Sequence, residues 1–172
     1  MNLTIRPLLP DDWKWLDALP EKARPSKTGT GSKGTYTFIC LQAGKPVGVA
    51  VGSIDTGGGD TSHLDFIHVL NGDWSVFIAL MQRHAMNGLK LGQKWAVASV
   101  PTDDLKQCTN MAGTAALTAG LTLRLGLGWQ DSGVDMARAA VAYKRTEPVD
   151  MESFVETAGL WLKEAGCVVE QQ

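Results

Sequence analysis

The chain has 172 residues, a length that suits one domain. It carries 16 basic and 18 acidic side chains for a net charge of −2, with 44% hydrophobic and 20% charged residues. This balance excludes a disordered chain and gives no support for a polybasic nucleic-acid-binding arm. Glycine departs from average composition: 19 residues, or roughly one in nine against a usual ~7%.

The cysteines and the apolar segments indicate the kind of cellular compartment in which the protein is expected. Cys40, Cys108 and Cys167 are widely spaced and form no CxxC pair, so neither a disulfide framework nor a zinc ribbon is indicated. We therefore expect a reducing compartment, and the N-terminus has no signal-peptide pattern. The uncharged segment 107–123 is shorter than the ~20 residues of a membrane span and is rich in polar residues, so no membrane insertion is expected.

The first part of the chain predicts strands around one short helix. An alternating strand at 3–7 precedes a helix that Asp11 or Asp12 can cap and Pro20 ends, and a basic loop follows over 20–34. Three further strands are predicted over 36–42, 46–54 and 63–70. Strict alternation in the last of these puts His63, Asp65, Ile67 and Val69 on one face, and Leu64, Phe66, His68 and Leu70 on the other.

The second part predicts helices alternating with strands. An amphipathic helix begins at Trp74, a buried strand covers 95–100, and a helical region starts near Asp103 or Asp104. A last strand is predicted over 137–144. Asp150 caps a closing amphipathic helix that Gly166 ends.

This order of elements, with the opening sequence LTIRPLLPDDW, resembles the GNAT superfamily of acyl-CoA-dependent N-acetyltransferases. The hairpin around Gly44, with Val47-Gly48 in its second strand, and the corner Leu127-Gly128-Trp129 are similar to the family's pattern. The resemblance covers residues 1–146. It implies a single-domain α/β fold with a mixed, mostly antiparallel sheet flanked by helices. Residues 147–172 would form a C-terminal helical extension that packs on the domain or on a partner.

The resemblance also implies where acetyl-CoA would bind. The family holds the coenzyme's pyrophosphate in a Q/R-x-x-G-x-G/A loop at a helix N-terminus, and this chain has Asn71-Gly-Asp-Trp-Ser75 there. One glycine of the motif remains, and Asp73 adds a negative charge beside the expected phosphates. The implied coenzyme-binding residues are Ile67, Val69, Asn71, Gly72, Trp74, Ser75 and Asn110.

Acyl transfer to an amine needs a proton acceptor for the amine and an acid for the thiolate. Asp65 and His68 are the candidate bases, and Tyr143 is the candidate acid, because the helix of Asn110 lacks the family's tyrosine. The alternatives are a polar residue on a solvated strand face for Asp65 and a hydrogen-bonded strand histidine for His68. A metal site is not expected, since alternation directs His63 away from His68.

Two functions of different class follow. The first is a GNAT-like domain that is degenerate for coenzyme binding and acts as a structural or interaction protein. It is similar to small GNAT-like proteins of tailed bacteriophages, some of them virion components. The second is an acyl-CoA-dependent N-acyltransferase acting on an amine of a small molecule or protein, with acetyl-CoA as cofactor. Protein contacts or self-association would use Phe154 and Trp161 of the closing helix. We expect a cytoplasmic protein, or one within a phage particle.

Overall fold

The computed structural model describes residues 1–21, 24–25, 34–54, 57–101, 129–134, 142–146 and 148–172. For 99–101, 129–134 and 142–146 it describes the backbone alone. The predicted helical region after Asp103, the candidate Asn110 and most of the basic loop lie outside these residues.

The described residues form an α/β fold around one large sheet. The strands are β1 (Asn2–Pro7), β2 (Thr35–Gln42), β3 (Lys45–Ile54), β4 (Thr61–Val69), β5 (Trp95–Pro101), β6 (Trp129–Val134), β7 (Ala142–Thr146), β8 (Val149–Asp150) and β9 (Val168–Gln171). The helices are α1 (Trp13–Ala18), α2 (Trp74–Lys90) and α3 (Met151–Glu164), with short 3-10 turns at Pro10–Asp12 and Leu70–Gly72.

The strands follow the spatial order β6-β7-β5-β4-β3-β2-β1-β9, and β8 lies beside β5. Two of the pairings, β1 with β9 and β4 with β5, are parallel, and the others are antiparallel. The mixed, mostly antiparallel sheet expected from the sequence is therefore confirmed. Strands β6, β8 and β9 were not predicted, and the strand expected over 137–144 is found as β7 (Ala142–Thr146).

The main core lies between the sheet and α2. Phe77, Ile78 and Leu80 of α2 are fully buried there against strand residues such as Ile5 and Ile67. A smaller apolar cluster on the opposite face of the sheet contains Leu16 of α1 with residues of β3 and β4. The sheet thus separates two apolar layers, as expected for an α/β domain.

Helix α3 packs on α2 within the same chain. The Asp150 carboxylate caps α3 by accepting from the Ser153 amide at 3.0 Å, and Gly166 follows the helix with φ 67°, as the sequence predicts. Phe154 and Trp161, proposed above for partner contacts, are 3% and 6% exposed in the main core. Their side chains are therefore taken up by the chain's own packing, and Leu160, at 57%, is the large exposed apolar residue of α3.

The expectation that Asp11 or Asp12 caps α1 was wrong in its detail. Asp12 stands at the N-cap position, but its carboxylate makes no capping bond to α1. It instead accepts from the Leu9 amide and from the Arg6 guanidinium, so it joins the end of β1 to the turn before α1.

No helix in the described part of the chain is both long enough and apolar enough to cross a bilayer.

Candidate functional site

The parallel ladder between β4 and β5 is short. Thr61 to Leu64 pair with Trp95 to Ala98, and the ladder between these two strands ends there. On its other edge, β5 continues to pair with β7 up to Pro101 opposite Tyr143. The two parallel strands therefore diverge toward their carboxyl ends. In α/β sheets, ligands bind outside the carboxyl ends of such strands.

A β-bulge at Asp65 changes which face each later residue of β4 occupies. Phe66 pairs with Val51 of β3 and Leu64 with the adjacent Gly52, so Asp65 is the extra residue. Leu64 and Ile67 are consequently both in the main core, whereas Phe66 belongs to the opposite cluster. The strict alternation predicted from the sequence, which grouped Leu64 with Phe66 and Asp65 with Ile67, was wrong because one inserted residue reverses the pattern.

The bulge also places His63 and His68 on the same face of the sheet. His63 alternates with the buried Ser62 and Leu64 before the bulge, and His68 alternates with Ile67 and Val69 after it, so the two histidines share the α1 face. The geometric reason given for excluding a metal site therefore does not hold. Even so, among the described residues no group of three or more histidine, cysteine, aspartate or glutamate side chains could hold a metal ion.

Asp65 is exposed, and its carboxylate is held by the neighbouring strand. The Ser53 hydroxyl donates to Asp65 Oδ2 at 2.6 Å. A hydrogen-bonded carboxylate next to the diverging strands can accept a proton from a bound amine. The sequence offered no signal for Ser53, because the pairing depends on the bulge. His68, 9% exposed, lies further toward the carboxyl end of β4.

The turn between β4 and α2 is compact. Asn71 and Gly72 have φ of 59° and 62°, a left-handed conformation that glycine adopts without strain. Asp73 then caps α2, accepting from the amides of Ser75 at 2.9 Å and Val76 at 3.3 Å. The Asp73 carboxylate therefore accepts the amide hydrogen bonds that a bound anion would otherwise accept.

The candidate coenzyme-binding side chains are mostly directed into the protein. Ile67 and Val69 are in the main core, and Trp74, 4% exposed, stacks on Phe77 with ring centroids 4.8 Å apart. Asn71 is exposed and Ser75 half-buried. As arranged here, the start of α2 does not fit a pyrophosphate, because Asp73 already satisfies two of its amides and carries the wrong charge.

Tyr143 lies on β7, where its backbone pairs with Pro101. Pro101 is three residues beyond Ala98, the last residue of β5 that pairs with β4. In the strand order β7-β5-β4, β5 lies between Tyr143 and β4. The role of Tyr143 as an acid stays a prediction.

No protein-family model matches this sequence, and no curated protein sequence matches it significantly. Solved structures do match its fold. The chain is similar to an N-acetyltransferase from Staphylococcus aureus Mu50, with a TM-score of 0.55, 12% identity, and coverage of 87% of this chain and 98% of that one.

Two further similar structures have known acceptors in their names. Ribosomal-protein-S18-alanine N-acetyltransferase from Escherichia coli matches with a TM-score of 0.53 and 16% identity, covering 86% of this chain and 94% of that one. A variant of spermidine N-acetyltransferase from Vibrio cholerae matches with a TM-score of 0.56 and 12% identity, covering 89% and 96%. The chain has the GNAT superfamily fold, as the sequence resemblance implied.

Proposed function

We propose that the protein is an N-acyltransferase that transfers an acyl group from a coenzyme A thioester to an amine. The carrying observation is the parallel pair β4–β5, whose ladder ends at Leu64 and Ala98 immediately before the bulge at Asp65. The separation of the strands and the bulged carboxylate are adjacent on β4, and the chain continues from β4 through one short turn into the helix that starts at Trp74. The GNAT fold supports this function over a purely structural one.

The proton chemistry is assigned to residues of β4. An amine attacks a thioester only in its neutral form, so a base must remove its proton. Asp65, oriented by Ser53, is the first candidate for that base, and His68 is the second. Tyr143 would protonate the departing thiolate from β7.

Asp73 is the obstacle to this proposal. Its carboxylate accepts hydrogen bonds from the amides of Ser75 and Val76, at the positive end of the α2 dipole. We therefore assign no phosphate contact to the start of α2, and we infer that Asp73 weakens the binding of phosphate-bearing acyl donors.

Replacing Asp73 by serine tests this inference. Serine caps a helix nearly as well as aspartate but carries no charge, so Asp73→Ser should tighten acetyl-CoA binding by about tenfold. Acetyl-pantetheine, which lacks the phosphates, should bind both proteins equally. Asp150→Ser is the matched control, because Asp150 caps α3 in the same way and lies on another helix.

The binding readout is a thermal titration. A ligand at 100 times its dissociation constant stabilises a protein by about 2.7 kcal/mol. Activity would be followed as thiol release from acetyl-CoA with two acceptors that the similar enzymes suggest, spermidine and a peptide that begins with alanine. If both the wild type and Asp73→Ser show no thermal shift and no thiol release at about 1 mM acetyl-CoA, the acyltransferase proposal is excluded.

A GNAT-fold protein without coenzyme binding is the second candidate, and Asp73 is the observation that favours it. Such a protein would act through protein contacts, for which α3 offers the exposed Leu160 rather than Phe154 or Trp161. Residence in a bacteriophage particle or in the cytoplasm stays a prediction from the sequence.

A further inference from the structure

A cleft of about 560 Å³ lies at the ends of β1 and β2, two strands away from β4. Its walls include Leu9, Pro10 and Trp13 from the segment after β1, together with Phe38 of β2. Two polar side chains of α2, Arg83 and Asn87, complete it. This volume lies within the usual range of small-molecule sites, about 300 to 1,000 Å³.

The cleft exists because β1 stops before its partner strand does. The register ends with Pro7 opposite Phe38, whereas β2 begins three residues earlier, at Thr35. The Leu8 amide still donates to the Thr37 carbonyl, and the chain then turns away toward α1. The first residues of β2 therefore lie unpaired with β1 and line the cleft.

Arg83 gives this cleft a positive charge. Its guanidinium carbon lies 4.7 Å from the centre of the Phe38 ring. The guanidinium donates to Gln171 Oε1 at 3.3 Å and to the main-chain oxygen of Gln172 at 2.8 Å.

Two buried donors in this cluster have no hydrogen-bond acceptor among the described residues, Arg83 Nε and Gln171 Nε2. Burial also lowers the pKa of Arg83, as expected for a cation that has lost part of its hydration. These two atoms are closed to solvent and Gln171 does not line the cleft, so a ligand there would meet the terminal N–H groups of Arg83. The guanidinium has four such N–H groups, and Gln171 and Gln172 accept from two of them.

We propose that this cleft binds a small organic carboxylate with an aromatic or branched apolar body. The carboxylate would replace the long contact from Gln171 to Arg83 with a charge-assisted hydrogen bond, which is shorter and stronger. The body would rest on Trp13, Leu9 and Pro10. A single cation between apolar walls suits a monoanion, since a dianion would keep an unpaired charge away from water.

Phenylacetate and its neutral counterpart phenylacetamide are suitable probes for the whole chain. In a ¹H–¹⁵N correlation spectrum, phenylacetate should shift the indole N–H signal of Trp13 and the Nε–H signal of Arg83. Phenylacetamide should bind about tenfold more weakly. No shift at about 10 mM phenylacetate, or equal binding of the two probes, would overturn the proposal.

The matched variants are Arg83→Met and Lys90→Met, which each remove one positive charge from α2. Lys90 is exposed and does not line the cleft. Arg83→Met should weaken phenylacetate binding by about tenfold and Lys90→Met should not. Equal effects would show a general charge attraction and contradict the proposal.

Arg83 also contacts β9, so Arg83→Met can disturb folding. Leu9→Trp provides a second variant, because Leu9 is 52% exposed and a larger side chain there enters the cleft without altering the core. It should abolish phenylacetate binding while Arg83 is intact. Unchanged binding would place the probe elsewhere. The probes contain neither a thioester nor an amine, so these results are independent of the proposed acyl transfer.

Discussion

Tyr36 and His84 share a hydrogen bond between the phenolic hydroxyl and Nδ1, on the inner face of the sheet beneath α2. The same hydroxyl lies 3.0 Å from Ser62 Oγ, so β2, β4 and α2 meet at one polar point. Burial lowers the pKa of His84 to about 3 and raises that of Tyr36. His84 is therefore neutral in the folded protein.

This arrangement predicts a loss of stability in mild acid. The unfolded chain protonates His84 at its ordinary pKa of 6.5, whereas the folded chain does so only at about 3. The stabilisation is complete above pH 6.5 and is lost as pH falls between those values, by about 1.4 kcal/mol per pH unit. Between pH 7 and pH 5, urea unfolding should show a decrease of about 2 kcal/mol.

His84→Gln should remove most of this pH dependence, although it also lowers the stability at pH 7. His63→Gln is the control, since His63 is half-buried on the opposite face of the sheet. A His84→Gln protein that still loses stability between pH 7 and pH 5 like the wild type would show that His84 titrates normally.

The ring of Tyr36 also explains the glycine at position 52. A Cβ on Gly52 would lie 2.5 Å from Cζ of Tyr36, closer than real contacts allow. Gly52→Ala should therefore reduce the free energy of unfolding by about 1 to 3 kcal/mol. Gly57→Ala, at a position with open space, should change it by less than about 0.5 kcal/mol. Similar values for the two variants would mean that Tyr36 moves aside readily.

These residues show which structural features could be predicted from the sequence and which could not. The α2 stripe that begins at Trp74 and the cap at Asp150 were predictable, because each depends on neighbours within a turn or two of helix. The contact of Tyr36 with His84 joins residues 48 positions apart and left no local pattern.

The candidate site shows the same limit. Asp65, His68 and Asp73 were identified as residues, and the opposition of Asp73 to an anion followed from its place at a helix start. The bulge was not predictable, since an inserted residue shows itself only through the pairing of β3 with β4. The orientation of every later residue of β4, and the contact with Ser53, depended on it.

The Arg6–Asp12 ion pair should support the junction between β1 and α1. Its two hydrogen bonds are 2.7 and 2.9 Å long, and the side chains are 19% and 10% exposed. Asp12→Asn should cost about 1 to 2 kcal/mol in chemical unfolding at pH 7. Asp11→Asn is the control, because Asp11 is 96% exposed and 3.7 Å from Lys14, and it should cost less than about 0.5 kcal/mol.

The pH dependence gives a second check on this pair. The hydrogen bond from Arg6 lowers the pKa of Asp12. Its stabilisation is therefore present above the ordinary carboxyl pKa of about 3.9 and is lost as pH falls through the lowered value. His84 titrates in both proteins and its effect begins near pH 6.5. It therefore cancels in the difference between wild type and Asp12→Asn, and a difference that disappears only below about pH 4 identifies the pair. A difference that is already gone at pH 5 would contradict it.

Catalysis by the bulged carboxylate is tested by two residues in contact. Asp65→Asn removes the proton acceptor and should lower kcat by about 10² to 10⁴ in thiol release with spermidine or the alanine peptide. Ser53→Ala keeps the carboxylate but removes the hydrogen bond that orients it, so kcat should fall by about tenfold with an unchanged KM for acetyl-CoA. Ser53→Thr, which retains the hydroxyl, should restore the rate. If His68→Gln abolishes turnover while Asp65→Asn retains it, with both melting temperatures unchanged, the base is His68.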